Sequence, residues 1–68
     1  MYKMTKVKSS AISEIGYDRI HGALKIVFNS GSEYEYVGVS ESEYKDFISA
    51  SSVGKYYNKK IRSNYSIK

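Results

Sequence analysis

The residues best suited to chemistry lie close to the C-terminus. Lys55, Tyr56, Asn58, Lys59, Lys60 and Arg62 bring together four cations, one amide and one aromatic ring. Cations in such a row suit phosphate oxygens, and a ring among them suits one stacked base. No Asp or Glu occurs from residue 53 to residue 68. These six residues are the candidate nucleic-acid-binding set, and the N-terminal lysines Lys3, Lys6 and Lys8 could join them. If all four cations met phosphates of a DNA duplex, the salt slope would be about −3.6, which weakens binding roughly a hundredfold between about 50 and 200 mM salt. The competing explanation is a solvated helix face.

Other constellations are weaker. Tyr34-Glu35-Tyr36 resembles the paired aromatics of sheets that stack bases. However, Tyr34 and Tyr36 share a strand face with Leu24, Ile26 and Phe28, which helices must cover. The expectation is therefore core packing, with the hydroxyls reaching the rim or a buried partner. His21 near Asp18 and Arg19 reads as a turn residue rather than an acid–base catalyst. Glu33 and Glu35 lie two apart on one strand face and suit solvent better than a metal. Ser51-Ser52 lacks a base partner. With no cysteine there is no disulfide and no thiolate metal site, and one histidine, His21, cannot build a zinc site alone. No catalytic residue, metal or cofactor is expected, and no small-molecule substrate is evident.

These residues need a scaffold, and 68 residues allow one small domain. A chain of this size buries only about 60% of its unfolded surface. Eight tyrosines and two phenylalanines supply core volume in place of staples. No apolar run approaches the ~20 residues of a membrane span. No hydrophobic block follows the basic N-terminus, so the expectation is a soluble, cytoplasmic protein without a signal peptide. The formal charge of +4 is unevenly spread. Residues 1–13 and 53–68 carry only cations, while Glu33, Glu35, Glu41, Glu43 and Asp46 sit in the middle against Lys45. That asymmetry points to an anionic partner met by the chain ends.

Period-two alternation marks a hairpin, with strands at 24–28 and 33–37 around a turn at Asn29-Ser30-Gly31-Ser32. Gly31 suits a left-handed backbone there. The open face would carry Lys25, Val27, Glu33, Glu35 and Val37. Residues 11–18 read as an earlier strand, in which Gly16 signals a bulge or a close contact. Residues 1–8 read as a flexible basic arm. Ser40-Glu41-Ser42-Glu43 matches a capping box, and Tyr44, Phe47 and Ile48 follow on one face of a helix from about Glu41 to Ala50. Val53, Tyr57, Ile61 and Tyr65 recur every four residues along a second helix. The fold class is α+β: a three-stranded antiparallel meander followed by two helices on one face, β-β-β-α-α.

The pattern resembles the KTSC domain, a family of bacteria and phages found at the C-terminus of some lysyl-tRNA synthetases and also alone. The residues that carry the resemblance are Ser10, Ile12, Ile15-Gly16-Tyr17-Asp18, Leu24, Ile26, Phe28, Gly31 and Tyr34-Glu35-Tyr36. They continue through Tyr44, Phe47, Ala50, Ser52, Gly54, Tyr56, Tyr57, Asn58, Ile61, Arg62 and Tyr65. The resemblance covers about residues 9–65. Through its synthetase setting the resemblance implies RNA binding, although the chain has no catalytic domain of that kind. The expected role is a non-catalytic accessory domain that binds RNA or single-stranded DNA. The alternative is a protein-interaction module, pairing with a partner or with itself through the acidic sheet face or a strand edge.

Overall fold

Large apolar side chains recur on alternate residues of the central strands, and the chain folds to put them on one side. The computed structural model describes residues 2–67. Its elements are β1 (Lys3–Lys6), β2 (Ile12–Asp18), β3 (Ala23–Phe28), β4 (Glu33–Val37), α1 (Glu41–Ile48), α2 (Val53–Tyr56), a π-helical turn (Tyr57–Ile61) and β5 (Ser66–Ile67). The sheet has five strands in the order β1-β2-β3-β4-β5, with every neighbouring pair antiparallel.

Three strands were expected, and two more are present. Residues 3–6, expected as part of a free arm, pair with β2 so that Met4 faces Gly16. Gly16 leaves room for the Met4 side chain over it: a Cβ there would meet the movable Met4 Sδ and come within 3.2 Å of Tyr2 Cβ. With Met4 as its one apolar residue, β1 carries no period-two signal of its own and shows only against its partner. β5 is only two residues long and pairs with Tyr36 and Val37. It forms because the chain returns across the sheet after the second helix.

A bulge in β2 decides the core. The register against β3 shifts between Ile12 and Glu14. Ile12 and Ile15 are three apart and would otherwise point to opposite faces. With the extra residue, both are fully buried. They join Leu24, Ile26 and Tyr36 from the sheet, and Phe47, Val53, Tyr57 and Ile61 from the helices, in one cluster. Each fully buried aliphatic or Phe side chain contributes about 1.5–3 kcal/mol.

The turns follow local chemistry. Asp18 Oδ1 accepts from the backbone N–H groups of Ile20 (3.1 Å) and His21 (3.3 Å), which closes the β2–β3 turn. Gly22 leaves it with φ +63°, and its carbonyl accepts from the Val39 amide at 2.9 Å. Gly31 takes φ +98° in the β3–β4 hairpin, as its sequence context predicts.

Helix α1 starts at Ser40, whose hydroxyl accepts from the Glu43 amide at 3.1 Å. The reciprocal half of the expected capping box is not made. The Glu43 carboxylate instead accepts from the hydroxyls of Tyr56 and Tyr65. α1 stops at Ile48 rather than Ala50: the Ala50 amide tightens onto the Phe47 carbonyl three residues back at 3.2 Å, and the Ser49 hydroxyl donates to the Lys45 carbonyl at 2.7 Å.

The second helix is also corrected. It begins as α2 and then widens, with the Arg62 amide donating to the Tyr57 carbonyl five residues back at 2.9 Å. An ideal α-helix turns 3.6 residues per turn, so a stripe spaced every four residues drifts about 40° per step. The wider turn absorbs that drift, and Val53, Tyr57 and Ile61 all stay buried. Asn64 Nδ2 then caps the Lys60 carbonyl at 2.8 Å, and Tyr65 lies beyond the helix.

Candidate nucleic-acid interface

Burial of Val53, Tyr57 and Ile61 sets which residues α2 and its π-helical turn expose. Lys55, Asn58, Lys59, Lys60 and Arg62 are all exposed. Among the described residues none of these four cations has a carboxylate within salt-bridge distance. The ion pair found there is Lys25–Glu33 (3.0 Å), and Asp18 is hydrogen-bonded to His21 Nδ1 (2.8 Å). Five of the six predicted residues therefore lie on the outer side of one short helical segment, uncompensated by acids.

Tyr56 does not join them. Its ring stacks on Phe47 at 5.4 Å between centroids with 21° between planes, and its hydroxyl donates to Glu43 Oε2. It is half-buried in the seam between α1 and α2. The Glu43 hydrogen bond, followed by burial, pushes its pKa up to about 12. Spacing alone set Tyr56 among cations. Packing turned its ring to the opposite task.

The central tyrosine pair divides. Tyr36 is 2% exposed, and its hydroxyl lies 2.6 Å from that of Tyr57. Burial, and then that hydrogen bond, raise its pKa well above the tyrosine range. Tyr34 shares the face but sits at its rim, 42% exposed and edge-on to Phe28. It is the exposed ring among the eight tyrosines.

The other sheet face is less acidic than its composition suggests. Glu33 is paired with Lys25, and Glu35 accepts from the Tyr2 hydroxyl at 2.6 Å. Asp18, at the end of β2, is buried in its turn. The His21 hydrogen bond holds its carboxyl well below the usual carboxylate range.

Two of the clefts among the described residues bear on the site. The larger, about 590 Å³, lies between β1, the β2–β3 turn and α1, and mixes Lys3 and Arg19 with Asp18 and Glu41. The smaller, about 350 Å³, lies where the β1–β2 connection meets the α1–α2 connection. Lys8, Ser10, Ser51, Ser52, Lys55 and Asn58 line it, with Gly54 and Ser9 in close packing behind. In the sequence Lys8 is only a possible adjunct to the cationic set, and Ser51-Ser52 are hydroxyls without a base partner. Their meeting with Lys55 depends on loops that share no local signal.

A five-stranded antiparallel meander, closed on one face by two short helices with a cationic outer edge, defines a small α+β domain. A comparison with family models matches residues 8–65 to the KTSC domain. The chain belongs to the KTSC domain family. It is 34% identical over 64 residues to a lysine–tRNA ligase of Nostoc punctiforme, a match that covers 94% of this chain and 11% of the ligase. The chain thus spans about a ninth of that relative's length. A protein of Tsukamurella paurometabola is 32% identical over 62 residues, with 91% and 92% of the two chains covered. The crystal structure of a KTSC domain protein from Yersinia pestis is similar throughout, with a TM-score of 0.95, 32% identity, and 100% and 96% coverage. No helix among the described residues is long and apolar enough to cross a membrane.

Proposed function

We propose that this domain is a non-catalytic accessory that binds RNA or single-stranded DNA through the outer edge of α2 and its π-helical turn. Lys55, Lys59, Lys60 and Arg62 supply phosphate contacts, and Asn58 adds a hydrogen-bonding amide. The carrying observation is that these four cations are exposed together with no carboxylate in salt-bridge reach among the described residues. Unpaired cations on one edge make a phosphate-binding surface of low sequence specificity. The relative that is a lysine–tRNA ligase adds support, since its name places tRNA among what that protein handles. Tyr56 serves the fold in this reading.

The protein-interaction alternative has less support. Two of the open-face acids already have partners, and the outer strand β1 carries Lys3 and Lys6, which discourage strand addition.

Fluorescence anisotropy with labelled RNA and single-stranded DNA tests the proposal. Four phosphate contacts on a single strand give a salt slope of about −2.8, or a loss of about fiftyfold between roughly 50 and 200 mM salt. A triple change of Lys59, Lys60 and Arg62 to Ala should leave folding intact and cut the slope to about −0.7. Absence of binding at about 50 mM salt, where such contacts are strong, refutes the reading.

A further inference from the structure

We infer that the smaller cleft, between the β1–β2 and α1–α2 connections, binds one phosphate group. Resting on the reading above, that group is a phosphodiester of the bound strand. Every polar side chain at the cleft can donate a hydrogen bond, and no carboxylate lines it. Lys8 and Lys55 come from segments far apart in sequence and supply two ammonium groups. Ser10 and Ser51 are exposed, and neither hydroxyl has a hydrogen-bond partner among the described residues.

The two remaining hydroxyls are oriented by the backbone. Ser9 Oγ accepts from the amides of Ala11 (3.1 Å) and Ile12 (3.2 Å), and Ser52 Oγ accepts from the Lys55 amide (3.4 Å). A hydroxyl that accepts in this way keeps its own proton to donate. The Ser9 carbonyl is further held by Asn29 Nδ2 at 3.0 Å, so this wall is fixed before any ligand arrives. Two positive charges, several hydroxyl protons and the Asn58 amide around about 350 Å³ match a compact, multiply accepting anion. A neutral ligand would leave both ammonium groups unanswered. The larger cleft lacks this uniformity, because Asp18 and Glu41 line it.

The cleft also explains how the N-terminal lysines could extend the cationic edge. Lys55 belongs to both surfaces. A strand lying along Lys59 and Lys55 would next meet Lys8.

The test uses the whole isotope-labelled protein and inorganic phosphate, with chloride as the ionic-strength control. Amide resonances of Ser10, Ser51, Ser52 and Gly54 should shift and saturate, and both Lys8→Ala and Lys55→Ala should weaken that response at least fivefold. Shifts that never saturate, or that spread equally to Lys3, Lys6 and Lys60, overturn the phosphate site. Both lysines are exposed, so the variants should keep the parent's melting temperature; Ser51→Asp, which brings a carboxylate into the cleft, is a second variant expected to abolish the response. A single-stranded oligonucleotide then separates the sources. Loss of about 0.7 from the salt slope in Lys8→Ala supports a strand phosphate. An unchanged slope beside saturating phosphate binding overturns the strand placement and leaves a site for a free phosphate ester. Oligonucleotide binding without a phosphate response sinks the cleft alone, whereas a phosphate response without oligonucleotide binding sinks the proposed function and the strand placement and leaves the phosphate site standing.

Discussion

Replacing Glu43 with Gln tests how the helical layer is locked. The Glu43 carboxylate accepts from the Tyr65 hydroxyl at 2.9 Å through Oε1 and from the Tyr56 hydroxyl through Oε2. One side chain of α1 thus fastens both ends of the C-terminal segment. Gln keeps the shape, removes the charge and turns one accepting oxygen into an NH2 donor, to which one tyrosine hydroxyl must then act as acceptor. A hydrogen bond to a charged group contributes about 1.5–3 kcal/mol and a neutral one about 0.5–1.5 kcal/mol, so two weakened bonds lose about 2–3 kcal/mol if fully buried. Glu43, Tyr56 and Tyr65 are only half-buried. Solvent screening roughly halves the loss, to about 1–1.5 kcal/mol. At about 4–8 °C per kcal/mol for a domain of this size, the melting temperature at neutral pH should fall by about 4–12 °C.

The pH dependence gives the same variant a second signature. The Glu43 hydrogen bond is the largest cause that pushes Tyr56 up to about 12, and burial followed by the Glu43 hydrogen bond raises Tyr65. In the unfolded chain a tyrosine ionises near 10. A proton held more tightly in the folded state contributes stability that is whole below about pH 10 and is lost as pH rises toward about 12. The gap between parent and Glu43→Gln should therefore stay constant from neutral pH to about pH 10 and then close. Denaturant unfolding followed by circular dichroism reads the gap, and tyrosinate absorbance reads the titration. An unchanged melting temperature, or a gap that persists above about pH 12, refutes the reasoning.

Two further substitutions probe the turns. Asp18→Asn should destabilise the protein at neutral pH, because the hydrogen bond between the charged carboxylate and His21 is lost. Since the folded Asp18 carboxyl is held low, that difference is present above about pH 4 and is lost as the pH falls further; urea unfolding at several acidic pH values checks it, and a pH-independent gap contradicts it. Gly22→Ala should cost about 1–2 kcal/mol, because φ is +63° and the new Cβ would lie 3.3 Å from the Val39 carbonyl oxygen. A rise in stability, as for Gly→Ala at a compatible backbone, would show that the turn is not held as described.

Much of the fold was legible because its signals are local. Alternation at Leu24, Ile26 and Phe28 gave β3, and the Gly31 turn gave the hairpin. Ser40 marked the start of α1. The capping box was half right, since Glu43 found better donors in two distant hydroxyls than in the Ser40 amide. Of the candidate site, the cations were legible and the ring was not. Lys55, Lys59, Lys60 and Arg62 stay exposed because Val53, Tyr57 and Ile61 beside them are apolar. Tyr56 has both an apolar face and a polar tip, so spacing could not say which environment would claim it.

The sequence by itself determined the central strands, the helix start, the buried stripe of the last helix and the acid-free cationic segment, because each depends on neighbours within a few positions. Tertiary structure alone decided the edge strands β1 and β5, the bulge that turns Ile12 inward, the fate of Tyr56, and the meeting of Lys8 with Lys55. Those outcomes depend on which distant backbone or ring offers the better partner, a competition settled only when the sheet and helices close on one another.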